Sequence, residues 1–170
     1  MKVNIIGRGT GWENAPRNEL TWGVTLINLK RDVDLVIDMN VYEDGRWGEL
    51  ERQGAIKSRE KAVSCGTPYV DLKTYPIDEI ISFFKTDYFS NTVDYAIALA
   101  IYTGFTEIVL YGINMLKGSE YAYQKAGVEF WIGQAMGRGI TVTVHGTAST
   151  ILKTRDGLLY GYGTKQQPKT

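Results

Sequence analysis

The chain of 170 residues has one cysteine, one histidine, no net charge and no long apolar run, and each scarcity removes a class of protein. With Cys65 alone, an internal disulfide and a cysteine-rich zinc site are both ruled out. With His145 alone, so is any metal site built on several imidazoles, and no metal is expected. Nineteen basic residues balance 19 acidic ones, so no overall field draws the chain to nucleic acid or to an anionic membrane. No stretch approaches the roughly 18 apolar residues needed to cross a bilayer. Met1-Lys2 leads straight into Val3, Asn4, Ile5 and Ile6, too short for the apolar core of a targeting signal. A soluble protein of a reducing compartment, cytoplasmic and without membrane or nucleic-acid partners, is the expectation. Cys65, with no activating base near it in sequence, is expected to be inert.

What the chain has in quantity is glycine and tyrosine, 19 and 11 residues. Glycine fits many short turns between compact elements. Tyrosine fits half-buried surfaces where the ring packs and the hydroxyl finds a partner, at a ligand site or a homo-oligomer interface. The length suits one domain with a substantial core, expected over residues 1–163, followed by a flexible tail over 164–170. No internal repeat, linker or low-complexity segment interrupts it.

The segment Ser90 to Met115 carries the most information. Asn91 has the character of a helix cap, with Asp94 placed to return the bond as in a capping box. Val93 to Tyr102 is almost wholly apolar, as in a helix covered on all sides, and Gly104 supplies a left-handed stop. Ile108 to Tyr111 then reads as a central parallel strand. Around it, Lys2 to Ile6, Thr21 to Ile27, Asp34 to Met39, Pro68 to Leu72 and Ile140 to Val144 read as strands. Helices are expected between Val41 and Cys65 (one or two, around Gly54), over Ile77 to Phe84, and over Glu120 to Met136. Strands alternating with helices predict an α/β fold, a Rossmann-like three-layer sandwich with a mainly parallel sheet. The strand order is open.

In such sheets ligands bind beyond the carboxyl ends of the strands. Candidates are therefore sought there. Gly7-Arg8-Gly9-Thr10-Gly11 follows the first strand, where glycines let backbone amides approach a phosphate and Arg8 adds charge. It is neither the dinucleotide fingerprint nor a Walker loop, and a tight turn is the alternative. A larger side chain at Gly9 is expected to fill the phosphate position and leave the fold intact. Asp38 and Asn40 end the third strand, where a carboxylate can meet ribose hydroxyls or cap the next turn. Ser90, Asn91 and Thr92 form an exposed helix start open to an anion. Asn114 offers a carboxamide that donates and accepts at once. Glu120 and Gln124 share one side of their helix and can face a pocket together. His145, just past the last strand, is the candidate acid or base, or else a plain contact.

Ser90 to Gly112, with Tyr121, Gln124, Glu129, Gly133, Gly139 and Tyr160-Gly161-Tyr162, resembles a group of uncharacterised tailed-phage proteins. More distantly, Gly104 to Asn114 and the opening Ile5-Ile6-Gly7-Arg8-Gly9 resemble Campylobacter-type sialyltransferases and pterin-diphosphokinase-like proteins. Those strands usually end Gly-x-Asp; Asn114 stands here in place of that carboxylate. The resemblance implies a Rossmann-like fold and a nucleotide or nucleotide-sugar partner in a host cytoplasm. A small transferase of glycosyl or phosphate-linked groups, a non-catalytic sensor or sequestering protein, and a structural oligomer remain the readings. No cofactor is assigned.

Overall fold

A computed structural model describes residues 1–43, 45–116 and 121–166. It contains one open sheet of six strands: β1 (Lys2–Ile6), β2 (Thr21–Val24), β3 (Leu35–Ile37), β4 (Tyr69–Val70), β5 (Glu107–Tyr111) and β6 (Thr141–Val144). Their order is β4-β3-β2-β1-β5-β6 and every neighbouring pair is parallel. The chain grows outward from β1 in one direction as far as β4, then returns to its other side for β5 and β6. β1 and β5 are the longest pair, in register from Lys2 opposite Glu107 to Ile6 opposite Tyr111.

Alternation along the strands divides the interior into two cores. Val3, Ile5, Trp22, Val24, Ile37, Ile108 and Leu110 face one side, where α2 (Ile77–Phe84), α3 (Thr92–Tyr102) and α4 (Tyr121–Met136) pack. Ile6, Val36, Val109 and Tyr111 face the other, with Ala15, Ile27, Val33 and Ala62 of α1 (Glu49–Cys65). The expected three-layer Rossmann-like sandwich is thus observed. Its layers are unequal. Among the described residues, one long helix serves the second face.

The helix α3 is covered on all sides because it lies against β1 and β2 and touches both α2 and α4. Ala96 to Ala98 and Ala100 are fully buried, and only Tyr102 at its end is substantially exposed. Gly104 stops it with a φ of 86°, as the sequence predicts. On α4, Trp131 is fully buried, stacks on Phe89 at 4.8 Å between ring centres and donates its indole N–H to the Tyr88 carbonyl at 2.8 Å. That satisfies the polar end of a large apolar group.

One expectation is corrected and one left open is settled. The strand expected to reach Ile27 ends at Val24, and Thr25–Leu29 forms a short 3-10 turn. Residues 49–65 form a single helix that runs through Gly54. A β-carbon there would come within 2.9 Å of Leu26 Cδ1, so glycine serves a close approach and does not mark a break. The same approach is locked by polar groups. Ser58 donates to Asn28 Oδ1 at 2.6 Å, Asn28 Nδ2 to the Ser58 carbonyl at 2.8 Å, and Lys61 to the Asn28 carbonyl at 2.7 Å. With so little apolar surface on α1, this latch does what side-chain packing does for α3.

If α3 is the keystone of the first core, Ile97→Ala should cost about 2–5 kcal/mol through the cavity it leaves. Urea unfolding should show a lower midpoint with an unchanged slope. A loss below about 1 kcal/mol would contradict the close packing of that layer.

Candidate functional site

The reversal of strand order falls between β1 and β5. Open α/β sheets bind ligands in the crevice beyond the strand ends at such a switch point. The backbone there is set by three glycines. The Gly7 amide donates to the Tyr111 carbonyl and the Gly9 amide to the Gly112 carbonyl, each at 2.8 Å. A β-carbon on Gly7 or Gly9 would sit 2.7 Å from the Gly112 oxygen. One on Gly112, whose φ is 61°, would sit 2.7 Å from the Gly9 oxygen and 2.8 Å from that of Gly7. The expectation that a side chain at Gly9 would disturb only a ligand is therefore corrected. It would strike the β5 connection as well.

This pinch forms one edge of a cleft of about 860 Å³. Of the residues singled out from sequence, Gly7, Arg8, Gly9, Thr10, Asn40, Ser90, Asn91, Thr92, Asn114 and Gln124 all line it. They come from the loops after β1, β3 and β5, the start of α3 and the first turn of α4. Asp38 lies next door, in a second hollow of about 1000 Å³ that shares Asn40 and Val41 with the cleft. His145 borders neither. It is exposed beyond edge strand β6, stacked on Tyr111 at 4.8 Å. Glu120 lies outside the described residues.

Several lining residues have no signal in the sequence pattern. Lys30, from the end of the 3-10 turn, and Arg46 and Trp47, from the loop after β3, join Arg8 on the cleft wall. Among the described residues, Glu51 is the carboxylate on the same lining. Cations cannot be summed across loops until the strand order is known. Thr25 and Met115 also line the cleft, and both are left-handed, with φ of 58° and 48°. Such backbone is costly for a β-branched residue and concentrates at binding sites.

The start of α3 differs from the expected open anion site. Asn91 Oδ1 accepts from the Val93 and Asp94 amides at 2.8 and 3.3 Å. The Asp94 carboxylate accepts from the Ser90 amide at 2.7 Å, the Ser90 hydroxyl at 2.8 Å and Asn91 Nδ2 at 2.9 Å. The return bond thus lands on Ser90, one residue before the place a capping box puts it. The chain's own carboxylate already satisfies this turn. Burial pushes the Asp94 carboxyl up to about 6, against the pull of its Ser90 and Asn91 donors.

By contrast, the Asn114 and Gln124 side chains make no hydrogen bond among the described residues. Asn114 is held through its backbone, its carbonyl accepting from the Thr150 amide at 2.8 Å.

Asp38 is 3% exposed and both its oxygens are engaged: Asn40 Nδ2 at 2.6 Å, Tyr42 at 2.8 Å and Tyr69 at 3.2 Å. Burial pushes its carboxyl upward, and the same donors oppose that. It fastens the loop that carries Asn40. The hollow around it has Asp38, Glu43, Glu60 and Asp71 against Arg52, Arg59 and Lys73, and Arg59 is already paired with Asp71 at 2.8 Å. An anion gains nothing there. Among the described residues no group of histidine, cysteine or carboxylate side chains could hold a metal ion, and no helix is long and apolar enough to cross a membrane.

No protein-family model matches this chain, and no curated protein matches it. Solved structures to which the chain is similar include sialyltransferases. A point mutant of alpha-2,3/8-sialyltransferase CstII is 12% identical, with a TM-score of 0.45 over 99% of this chain and 88% of that one. CstII from Campylobacter jejuni with the substrate analogue CMP-3FNeuAc is 13% identical, with a TM-score of 0.41 over 99% and 86%. CstII with a trisaccharide acceptor and CMP is 12% identical, at 0.44 over 99% and 87%. At these values the likeness carries no argument about what this chain binds or does.

The glycine pinch makes a direct prediction. Gly112→Ala combines a left-handed backbone with two carbonyl overlaps and should lower stability by about 1–3 kcal/mol. Urea unfolding measures it. A variant as stable as wild type would show that the strand ends are free to separate.

Proposed function

We propose that this chain binds a nucleotide or nucleotide-sugar in the glycine-edged cleft. The observation that carries the proposal is that Arg8, Lys30, the Gly7–Thr10 loop and the carboxamides of Asn114 and Gln124 line one crevice at the switch point of a parallel sheet. The phosphates lie toward these cations and the Arg8–Thr10 loop. The base or sugar lies toward Asn114 and Gln124, whose carboxamides can read a base edge or a hydroxyl pair. Trp47 and Phe89 add aromatic faces to the walls.

The position of His145 outside the lining supports binding over group transfer, because a general base must reach the proton it takes. Sensing or sequestering a nucleotide is the role that fits. The sequence resemblance to tailed-phage proteins supports a phage origin and action in the host cytoplasm, and the exposed Tyr160 and Tyr162 suit a homo-oligomer.

Mass spectrometry of small molecules released from freshly purified protein tests the reading, and a nucleotide or nucleotide sugar is expected. With that ligand in hand, Asn114→Ala should weaken binding by about 1–3 kcal/mol, the range for stranding a polar partner, without lowering stability. Lys30→Ala should weaken binding and flatten its salt dependence. Calorimetric titration showing both variants at wild-type affinity would remove the cleft from consideration.

A further inference from the structure

Asp94 is a fully buried carboxylate whose partners are neutral. What faces it from its own cap is Ser90 and Asn91. From α4 come the Gln124 carbonyl, which accepts from Ser90 Oγ at 3.3 Å and Asn91 Nδ2 at 3.2 Å, and Gly127. A β-carbon at Gly127 would overlap both Ser90 Oγ and Asp94 Oδ2, so α4 is seated directly on the carboxylate. The nearest charges of α4 in sequence, Lys125 and Glu129, pair with each other at 3.4 Å. Tyr95 is the titratable neighbour, its phenol raised by burial first and by Asp94 second. Ser90 and Asn91 also line the cleft, so this negative charge lies one hydrogen bond beneath one wall of the space that we read as taking an anion.

The network accepts a proton without rearranging. The Ser90 amide and Asn91 Nδ2 can only donate, but the Ser90 hydroxyl can do either. With Asp94 ionised it donates to the carboxylate. With Asp94 protonated it accepts from the acid and turns its own hydrogen to the Gln124 carbonyl. The contacts of Ser90 and Asn91 with the carboxyl survive in both states, and protonation adds the Ser90 bond to the Gln124 carbonyl.

We propose that anion binding in the cleft is coupled to proton uptake by Asp94, so that the ligand is held more tightly in mild acid than at neutral pH. This rests on the nucleotide reading above. A phosphate bound on the far side of the cleft disfavours the buried charge across it, and the proton removes that repulsion. The carboxyl's elevation to about 6 before any ligand arrives brings the coupling within reach of neutral solution. Each further unit by which a ligand raises it adds a tenfold gain in affinity across the titration.

The test is calorimetric titration of the intact chain with UDP-, GDP- and CMP-linked sugars, whose phosphate diesters do not titrate near neutrality. Runs near pH 6 in buffers of different ionisation enthalpy report protons taken up per ligand bound. A fraction of a proton is expected for wild type, with affinity rising as pH falls. Uptake should vanish in Asp94→Asn, and in Ser90→Ala, which takes a donor from the ionised carboxylate, its maximum should move to higher pH. Should Asp94→Asn fail to fold, Ser90→Ala and the wild-type buffer series decide the matter alone. Binding with heats independent of buffer, or equal uptake in a folded Asp94→Asn, would overturn the coupling and leave the nucleotide reading standing. Failure of every probe to bind at any pH would overturn both.

Discussion

The molecule is organised around the close approach of two backbone segments, the loop after β1 and the turn after β5. Two hydrogen bonds of 2.8 Å join them, and glycine at positions 7, 9 and 112 keeps three side chains out of a space already filled by carbonyls. The approach follows from topology. β1 and β5 are hydrogen-bonded along their whole length, yet the chain leaves them in opposite directions across the sheet. A switch point therefore tends to open a crevice. Here the glycines sew the floor of that crevice shut, and the cleft lies above it, lined by the loops after β2 and β3 and by the starts of α3 and α4.

Much of this was legible in the residues themselves. The Ile77–Phe84 helix, the enclosed α3, the stop at Gly104 and the Ile108 to Tyr111 strand follow from apolar patterning and turn chemistry, which are local. So does the choice of the loops after β1, β3 and β5, since strand ends can be read without knowing which strands are neighbours. What was not legible depends on order and depth. His145 follows the last strand, but that strand is β6 at the sheet edge, with β5 between it and the crevice. Lys30 and Arg46 count toward the same cleft only when β2 and β3 are known to follow in turn beside β1. Gly54 suggests a break until Leu26 is seen packed against it.

The start of α3 shows how one sequence signal can support two physical outcomes. Asn91 and Asp94 identify a helix start correctly. A helix start, with its unsatisfied amides, also suggests an anion site. The structure fills that site from within, since Asp94 supplies the negative charge an external phosphate would bring. The cationic side of the cleft lies instead with Arg8, Lys30 and Arg46. A buried anion beneath one wall and cations on another give the cleft a direction, and a ligand with phosphate at one end and a hydroxyl-rich group at the other matches it.

Backbone amide chemical-shift mapping of the intact protein during titration with a nucleotide-linked sugar tests the central claim most directly. The account predicts saturable shifts concentrated at residues 7–10, 90–92 and 112–115, with residues 141–145 of the β6 edge unmoved. Saturable shifts centred on His145 and β6, or on the hollow around Asp38 and Tyr69, with the glycine loops silent, would contradict it.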